Sequence, residues 1–180
     1  MTGRLITVVG PSGVGKDSVI DGIIRARPEL RRVRRIITRS ADLGGEDYHA
    51  VTADEFQTMA KANVFCIHWQ AHGLRYGIPA EIQRDITAGK TCIANFSRKA
   101  LAQAATVFSD ILILNITAAP ETLAARLSGR GRESAAQIAA RLAEGNKCLP
   151  DGIPTVTISN DGALDDAIAQ AVAAIQPVRA

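Results

Sequence analysis

The stretch GPSGVGKDS, Gly10–Ser18, carries the clearest chemistry in the chain. Gly10, Pro11, Ser12, Gly13, Val14, Gly15 and Lys16 fit the pattern G-x-x-x-x-G-K, a loop whose backbone N–H groups surround a phosphate chain while the lysine reaches its terminal phosphates. The next position ordinarily carries a Ser or Thr hydroxyl that ligates magnesium, and here it is Asp17. A bare carboxylate about 4 Å from a phosphate oxygen costs roughly 4 kcal/mol at an effective dielectric of about 20, which ruins binding unless a cation lies between them. Asp17 is therefore expected to bind Mg²⁺, directly or through water, with Ser18 as the fallback hydroxyl. The competing reading makes Asp17 a cap of the following helix.

Phosphoryl transfer also needs an anion site for the acceptor. Arg39 follows a short aliphatic run, Tyr48 lies in the loop GGEDYH, and Tyr76 lies in RYGIP. An Arg offers a planar fork for phosphate, and Tyr hydroxyls add fixed donors without adding charge. Glu46 and Asp47 either order this acceptor loop or serve only its turn. His68 and Trp69, beside the apolar VFCI, are read equally as ligands and as core residues.

These residues require a scaffold of alternating strands and helices. Leu5–Val9 reads as a strand that runs into the loop, and Lys16–Ala26 as a helix with Val19, Ile20, Ile23 and Ile24 on one face. Further strands are predicted over Val33–Thr38, Val64–Trp69, Thr91–Phe96, Asp110–Thr117 and Thr155–Ser159. Thr52 and Glu55 form a capping box ahead of Phe56 and Met59. AHGLRYGIP is read as a loop, with Pro79 at a helix start and Gly89 past its end. Ser97 is read as the cap of a helix reaching Phe108. Helices are expected over about 119–128 and 133–145, and Leu164, Ile168, Val172 and Ile175 mark one face of the last. Alternation of this kind gives right-handed βαβ units and a parallel sheet covered on both faces, an α/β domain.

Bulk properties narrow the function. The chain has 180 residues, 47% hydrophobic and 22% charged, within the globular range. Its longest aliphatic run, Ile111–Ile116, is too short to span a bilayer, and the first residues lack an apolar leader, so a cytoplasmic protein without a membrane segment is expected. The three cysteines, Cys66, Cys92 and Cys148, have no metal-ligand spacing and are read as packing residues. A net charge of +3 suits an anionic partner. The run RRVRR, Arg31–Arg35, has no interleaved aromatics, which argues against nucleic acid, and is read as a strand start with solvated flanks. DLGG (Asp42–Gly45) and NKCL (Asn146–Leu149) resemble GTPase signatures, but Leu149 cannot accept guanine's edge hydrogens. Arg126 is read either as a helix-face salt-bridge partner or as a phosphate contact.

With these residues in view, the chain resembles the guanylate kinase family over nearly its whole length. GPSGVGK, the T-R of ITR, GEDYH, YG, RLSGRGRES with ARL, and SND before the last helix stand in the family's order and spacing. The resemblance implies a three-layer P-loop kinase sandwich within one domain. A parallel core would comprise 1–34, 91–125 and 146–180, with an acceptor-binding insert over about 35–90 and a helical lid over about 126–145. It places Arg39, Tyr48 and Tyr76 on the acceptor phosphate, Arg130 and Arg141 on the transferring phosphate with Arg132 beside them, and Asn160 against the donor's adenine. It also implies ATP as donor and Mg²⁺ as cofactor.

Three departures bear on the acceptor. Asp42 stands where the family has a second phosphate-binding Arg, and His68 and Asn95 stand where it has acidic residues. A site built to pair guanine's donors does not trade carboxylates for these groups. Together with GKDS, AHGLRYGIP and NFSR, they make the chain similar to the ribose 1,5-bisphosphate phosphokinase branch, which transfers the γ-phosphoryl of ATP to the 1-phosphate of that sugar. A guanylate or other nucleoside monophosphate kinase is the alternative, and a non-catalytic binding module of the same fold a distant one. A sugar acceptor with a second phosphate needs hydroxyl readers and another anion site, for which His68, His72, Arg75, Ser97 and Arg98 are candidates. The expected partners are ATP and a small phosphorylated substrate, in a monomer or homodimer.

Overall fold

The computed structural model describes residues 3–40, 46–129, 134, 136, 139 and 148–175. Every residue of β1 (Leu5–Val9) is buried, because the strand runs through the middle of a five-stranded sheet. On one side it pairs with β7 (Cys92–Asn95), which pairs in turn with β2 (Arg31–Arg32). On the other it pairs with β8 (Ile111–Thr117), followed by β9 (Thr155–Ser159). All these pairings are parallel, with Leu5 opposite Cys92 and Ile111. The central strands of such a sheet, β1, β7 and β8, are apolar on both faces. Leu5 and Val9 face a cluster with Ile82 and Ile86 of α3 (Glu81–Thr87) and Leu101 and Ala104 of α4 (Leu101–Val107). Ile6 and Val8 face the opposite way, toward Val19, Ile20 and Ile23 of α1 (Lys16–Ala26), Leu123 of α5 (Pro120–Gly129) and Ala167 and Ala171 of α6 (Leu164–Ile175). Among the described residues, no helix is long and apolar enough to cross a membrane.

A second sheet of four strands stands apart, in the order β4 (His49–Ala50), β3 (Ile36–Ile37), β6 (Leu74–Pro79), β5 (Phe65–Ala71). Its β3–β4 pair is parallel and the rest are antiparallel. The strand expected over Val33–Thr38 is thus divided. The chain leaves the core sheet after β2, Val33 still donates to Ile93 O at 2.9 Å, and Ile36 enters the second sheet. The predicted loop AHGLRYGIP is instead half of a hairpin. His72 and Gly73 both have positive φ, 51° and 74°, which is what a two-residue turn matched to strand twist requires. Pro79 ends β6 rather than opening a helix.

The capping box forms as expected at the start of α2 (Ala53–Lys61): Glu55 N donates to Thr52 Oγ1 at 3.2 Å, and Thr52 N donates to Glu55 Oε2 at 2.7 Å. Ser97 caps a short 3₁₀ turn, Arg98–Ala100, that leads into α4. Burial raises the thiols of Cys66 and Cys92 to about 11, in keeping with packing roles, whereas Cys148 is exposed.

Strand β5 has a register irregularity between Phe65 and Ile67. It turns Phe65 toward Phe56 of α2, with ring centroids 4.6 Å apart, while Ile67 points into the main core. Gly77 lies under the Phe65 ring, so a Cβ there would sit 2.5 Å from Cδ1. Gly77→Ala is therefore expected to lower unfolding free energy in urea titrations by about 1–3 kcal/mol. Phe65→Leu in the same background should recover part of that loss, and strictly additive effects would refute the contact.

Candidate active site

The loop between β1 and α1 wraps the carboxyl end of the parallel sheet, where α/β folds place their ligands. Gly13 and Gly15 have φ of 82° and 93°, conformations that turn successive N–H groups inward. Gly15 is the N-cap of α1 and makes no side-chain cap bond, so the first N–H groups of the helix have no intrahelical partner and can meet an anion. The loop is anchored at Val14, which is fully buried. Its carbonyl accepts from Asn160 Nδ2 at 2.8 Å and from Arg126 Nη1 at 3.4 Å, and Arg126 Nη2 donates to Asn160 O at 2.8 Å. Arg126 thus ties α5 to the loop through backbone carbonyls, and its charge also acts on Asp161. Asn160, expected against adenine, lies beneath the loop. A Cβ at Gly15 would come within 2.8 Å of its amide nitrogen.

Lys16 Nζ donates to the carbonyls of Gly10 and Pro11 at 3.0 and 3.1 Å. Burial is the largest influence on its ammonium and pulls it down to about 8. Asp17 and Glu46 oppose that fall, and Arg35 and Arg98 add to it. An anion in the loop favours the charged form, so phosphate binding and protonation of Lys16 support each other.

Asp17 points across the crevice and not back at its own helix. Its Oδ1 accepts from Asn95 Nδ2 at 3.0 Å, and the same Nδ2 donates to Glu46 Oε2 at 3.0 Å. Glu46 in turn accepts from Arg35 Nε at 2.7 Å and pairs with Arg35 Nη2. Arg35 was expected on a solvated flank, yet it is 8% exposed, with its guanidinium 4.9 Å from the Tyr76 ring centre and 5.9 Å from that of Trp69. Neither the burial of Arg35 nor its pairing with Glu46 was legible in the sequence, where the only clue is an Arg directly before a two-residue strand. The rest of RRVRR is also internally paired: Arg31 with Glu81 and Asp85, Arg32 with Asp21, and Arg34 with Asp47.

The acceptor candidates divide into two groups. Arg39 lies over the Tyr48 ring at 5.6 Å, and Tyr48 Oη donates to Ser40 O at 2.6 Å. Tyr76 stacks on Trp69 at 5.4 Å, and Trp69 on Phe96 at 5.5 Å. Arg98 comes off the end of β7 beside the loop and donates to Asn115 Oδ1 at 3.0 Å; burial lowers its pKa. Ser97 is spent locally, accepting from Lys99 N at 3.4 Å. His68 is not brought together with the others. It is exposed on the opposite face of β5, 6.3 Å from Phe56 and 6.1 Å from Phe65, because neighbours of Trp69 on a strand must point away from it. His72 occupies the hairpin turn. Arg130, Arg132 and Arg141, like Asp42 to Gly45 and Asn146, lie outside the described residues.

Comparison with known proteins agrees with this geometry. The profile of the guanylate kinase family matches residues 2–177. Ribose 1,5-bisphosphate phosphokinase PhnN of Ruegeria sp. (strain TM1040) is 51% identical over 179 residues, spanning 99% of this chain and 94% of that protein. The protein of the same name from Agrobacterium fabrum is 45% identical over 166 residues, 91% of each chain. Among solved structures, guanylate kinase from Anaplasma phagocytophilum superposes with a TM-score of 0.74 at 16% identity, covering 96% of this chain and 84% of its own. A gluconokinase from Sinorhizobium meliloti 1021 follows at a TM-score of 0.58 and 15% identity, covering 96% and 91%. At such identities these structures speak for the fold alone, whereas the family profile and the sequence relatives extend over almost every residue. The chain belongs to the guanylate kinase family, on the branch that includes the ribose 1,5-bisphosphate phosphokinases.

Proposed function

We propose that this protein transfers the γ-phosphoryl group of ATP to the 1-phosphate of ribose 1,5-bisphosphate, giving 5-phosphoribosyl 1-diphosphate and ADP. The observation that carries the reading is full-length similarity, 51% identity over 99% of the chain, to a protein named for that activity. The phosphate loop and the cationic crevice support it.

The acceptor phosphate is already an anionic nucleophile, so no general base is needed. One of its oxygens forms the new bond to the γ-phosphorus as the bond to the β–γ bridging oxygen breaks, and ADP leaves with that electron pair. The loop N–H groups and Lys16 hold the donor phosphates. Arg39, Tyr48 and Tyr76 hold the acceptor phosphate in line, and Arg98 adds positive charge beside the loop. Arg130, Arg132 and Arg141 are proposed to close on the transferring group. Asn160 holds the loop carbonyl from below while the adenine lies beyond it. Ser97 and His68 are the weaker candidates for sugar contacts, the second for the reason of orientation given above. Positioning and charge stabilisation together account for the rate.

A divalent cation is expected of an ATP-using kinase, and Mg²⁺ is the proposed one. The residues present fit it: Asp17 and Ser18 offer hard oxygen donors at the loop, and Glu46 shares with Asp17 the amide of Asn95. Mg²⁺ is commonly held by one or two carboxylates together with phosphate oxygens. When bound, it would draw negative charge from the β- and γ-phosphates. Asp17 and Ser18 would hold it, and Asn95 would keep the Asp17 carboxylate turned toward the crevice.

A coupled assay of ATP consumption with ribose 1,5-bisphosphate and GMP in parallel tests the reading directly. Turnover of the sugar bisphosphate is expected, and turnover of GMP alone would overturn it. Lys16→Ala should reduce kcat by at least about 10²-fold with an unchanged circular dichroism spectrum; a fully active variant would remove the phosphate loop from the mechanism. Asp17→Ser should keep activity but alter the Mg²⁺ concentration needed for half-maximal rate, and an unmoved Mg²⁺ curve would count against Asp17 as a ligand. Arg126→Ala, which frees the carbonyl of Asn160 and leaves that of Val14 to Asn160 Nδ2 alone, should weaken ATP binding by roughly tenfold in titration calorimetry while the acceptor KM stays constant.

A further inference from the structure

The acceptor side contains a buried ion pair for which phosphate binding and transfer have no direct use. Arg35 is 8% exposed, and the side chain of its partner Glu46 is 9% exposed. The Arg35 guanidinium covers the Tyr76 ring at 4.9 Å and reaches over Trp69 at 5.9 Å. These two rings lie nearly parallel, 8° apart. An open aromatic face beside a phosphate site is a stacking platform for any nucleobase. A free carboxylate next to it accepts paired N–H donors, such as those along the edge of guanine. Here one side chain occupies both: the guanidinium carbon of Arg35 lies over the rings, while its Nε and Nη2 fill both oxygens of Glu46.

We propose that Arg35 is the specificity-determining residue of the acceptor site. It excludes planar bases and reserves the pocket for a non-aromatic sugar phosphate. This inference rests on the ribose 1,5-bisphosphate reading and adds the group that enforces it. To stack on Tyr76 a base must displace Arg35, which leaves Glu46 as a buried charge without its partner. A sugar phosphate has no flat face and asks only for donors and positive charge. Because Glu46 also accepts from Asn95, which donates to Asp17, the pair is held in register with the phosphate loop.

The test compares wild type, Arg35→Ala, and the double variant Arg35→Met with Glu46→Gln. The double variant removes both buried charges together and so guards against misfolding of the single one. Each is assayed for kcat/KM with ribose 1,5-bisphosphate and with GMP, and for GMP affinity by calorimetry. In Arg35→Ala the GMP-to-sugar ratio of kcat/KM should rise roughly 100-fold, with GMP binding tightened and the KM for ATP held within about twofold; the double variant, which opens the rings but lacks the Glu46 carboxylate, should show a smaller rise in the same direction. If both acceptors decline by a common factor, or the ratio and the GMP affinity do not move, Arg35 has only a structural role and the inference is overturned. Failure of wild type to use the sugar bisphosphate would instead refute the functional reading, and the GMP affinities would still decide the role of Arg35.

Discussion

One amide nitrogen joins the two halves of this site. Asn95 Nδ2, at the carboxyl end of a core strand, donates to Asp17 beside the phosphate loop and to Glu46 from the acceptor-side segment. Two carboxylates can stand this close only if something between them supplies positive potential without adding negative charge. A neutral amide does so, whereas an acid at this position would place a third carboxylate against the other two. The neutral residue at 95 and the acidic residue at 17, two departures from the family pattern, are therefore one arrangement seen from opposite walls. Negative charge lies at the loop and not at the strand end, and the amide holds it there.

The remaining charges follow from that junction. Glu46, held by Asn95 on one side, takes Arg35 on the other, and Arg35 finds the aromatic faces of Trp69 and Tyr76. Burial lowers the pKa of Lys16, and Arg35 and Arg98 are near enough to add to that fall, with Asp17 and Glu46 in partial compensation. Assembling so many desolvated groups is costly, and a well-packed apolar core would be as stable or more so. What the arrangement provides is preorganisation: donors and cations already aimed into the crevice need little reorientation when a polyanionic substrate pair arrives.

Sequence reasoning succeeded where structure is set by near neighbours. Strands β1 and β9, helix α1 and the Thr52–Glu55 box follow from periodicity and capping within a few residues, and the structure has them with those bounds. It fell short where one segment answers to two distant partners. Val33 still bonds to β7 while Ile36 pairs with β6, so the strand expected over Val33–Thr38 is split between two sheets. The hairpin escaped notice because His-Gly is a weaker turn signal than Asn-Gly, though it adopts the same backbone. The phosphate loop was legible because its chemistry is contiguous. The burial of Arg35, by contrast, depends on residues 46, 69 and 76, which no local pattern connects.

The irregularity in β5 changes the phase of the strand. Up to Phe65 the side chains alternate in one frame, and from Ile67 onward in the other. Phe65 and His68 thereby share the outer face, while Ile67 and Trp69 share the inner one. The extra residue at Cys66 absorbs the offset. Were Cys66 drawn into regular alternation instead, the two faces beyond it would exchange, presenting an imidazole to Arg35 and Tyr76 and an indole to helix α2. The chemical character of the acceptor wall is thus set by the parity of a strand as much as by the residues in it.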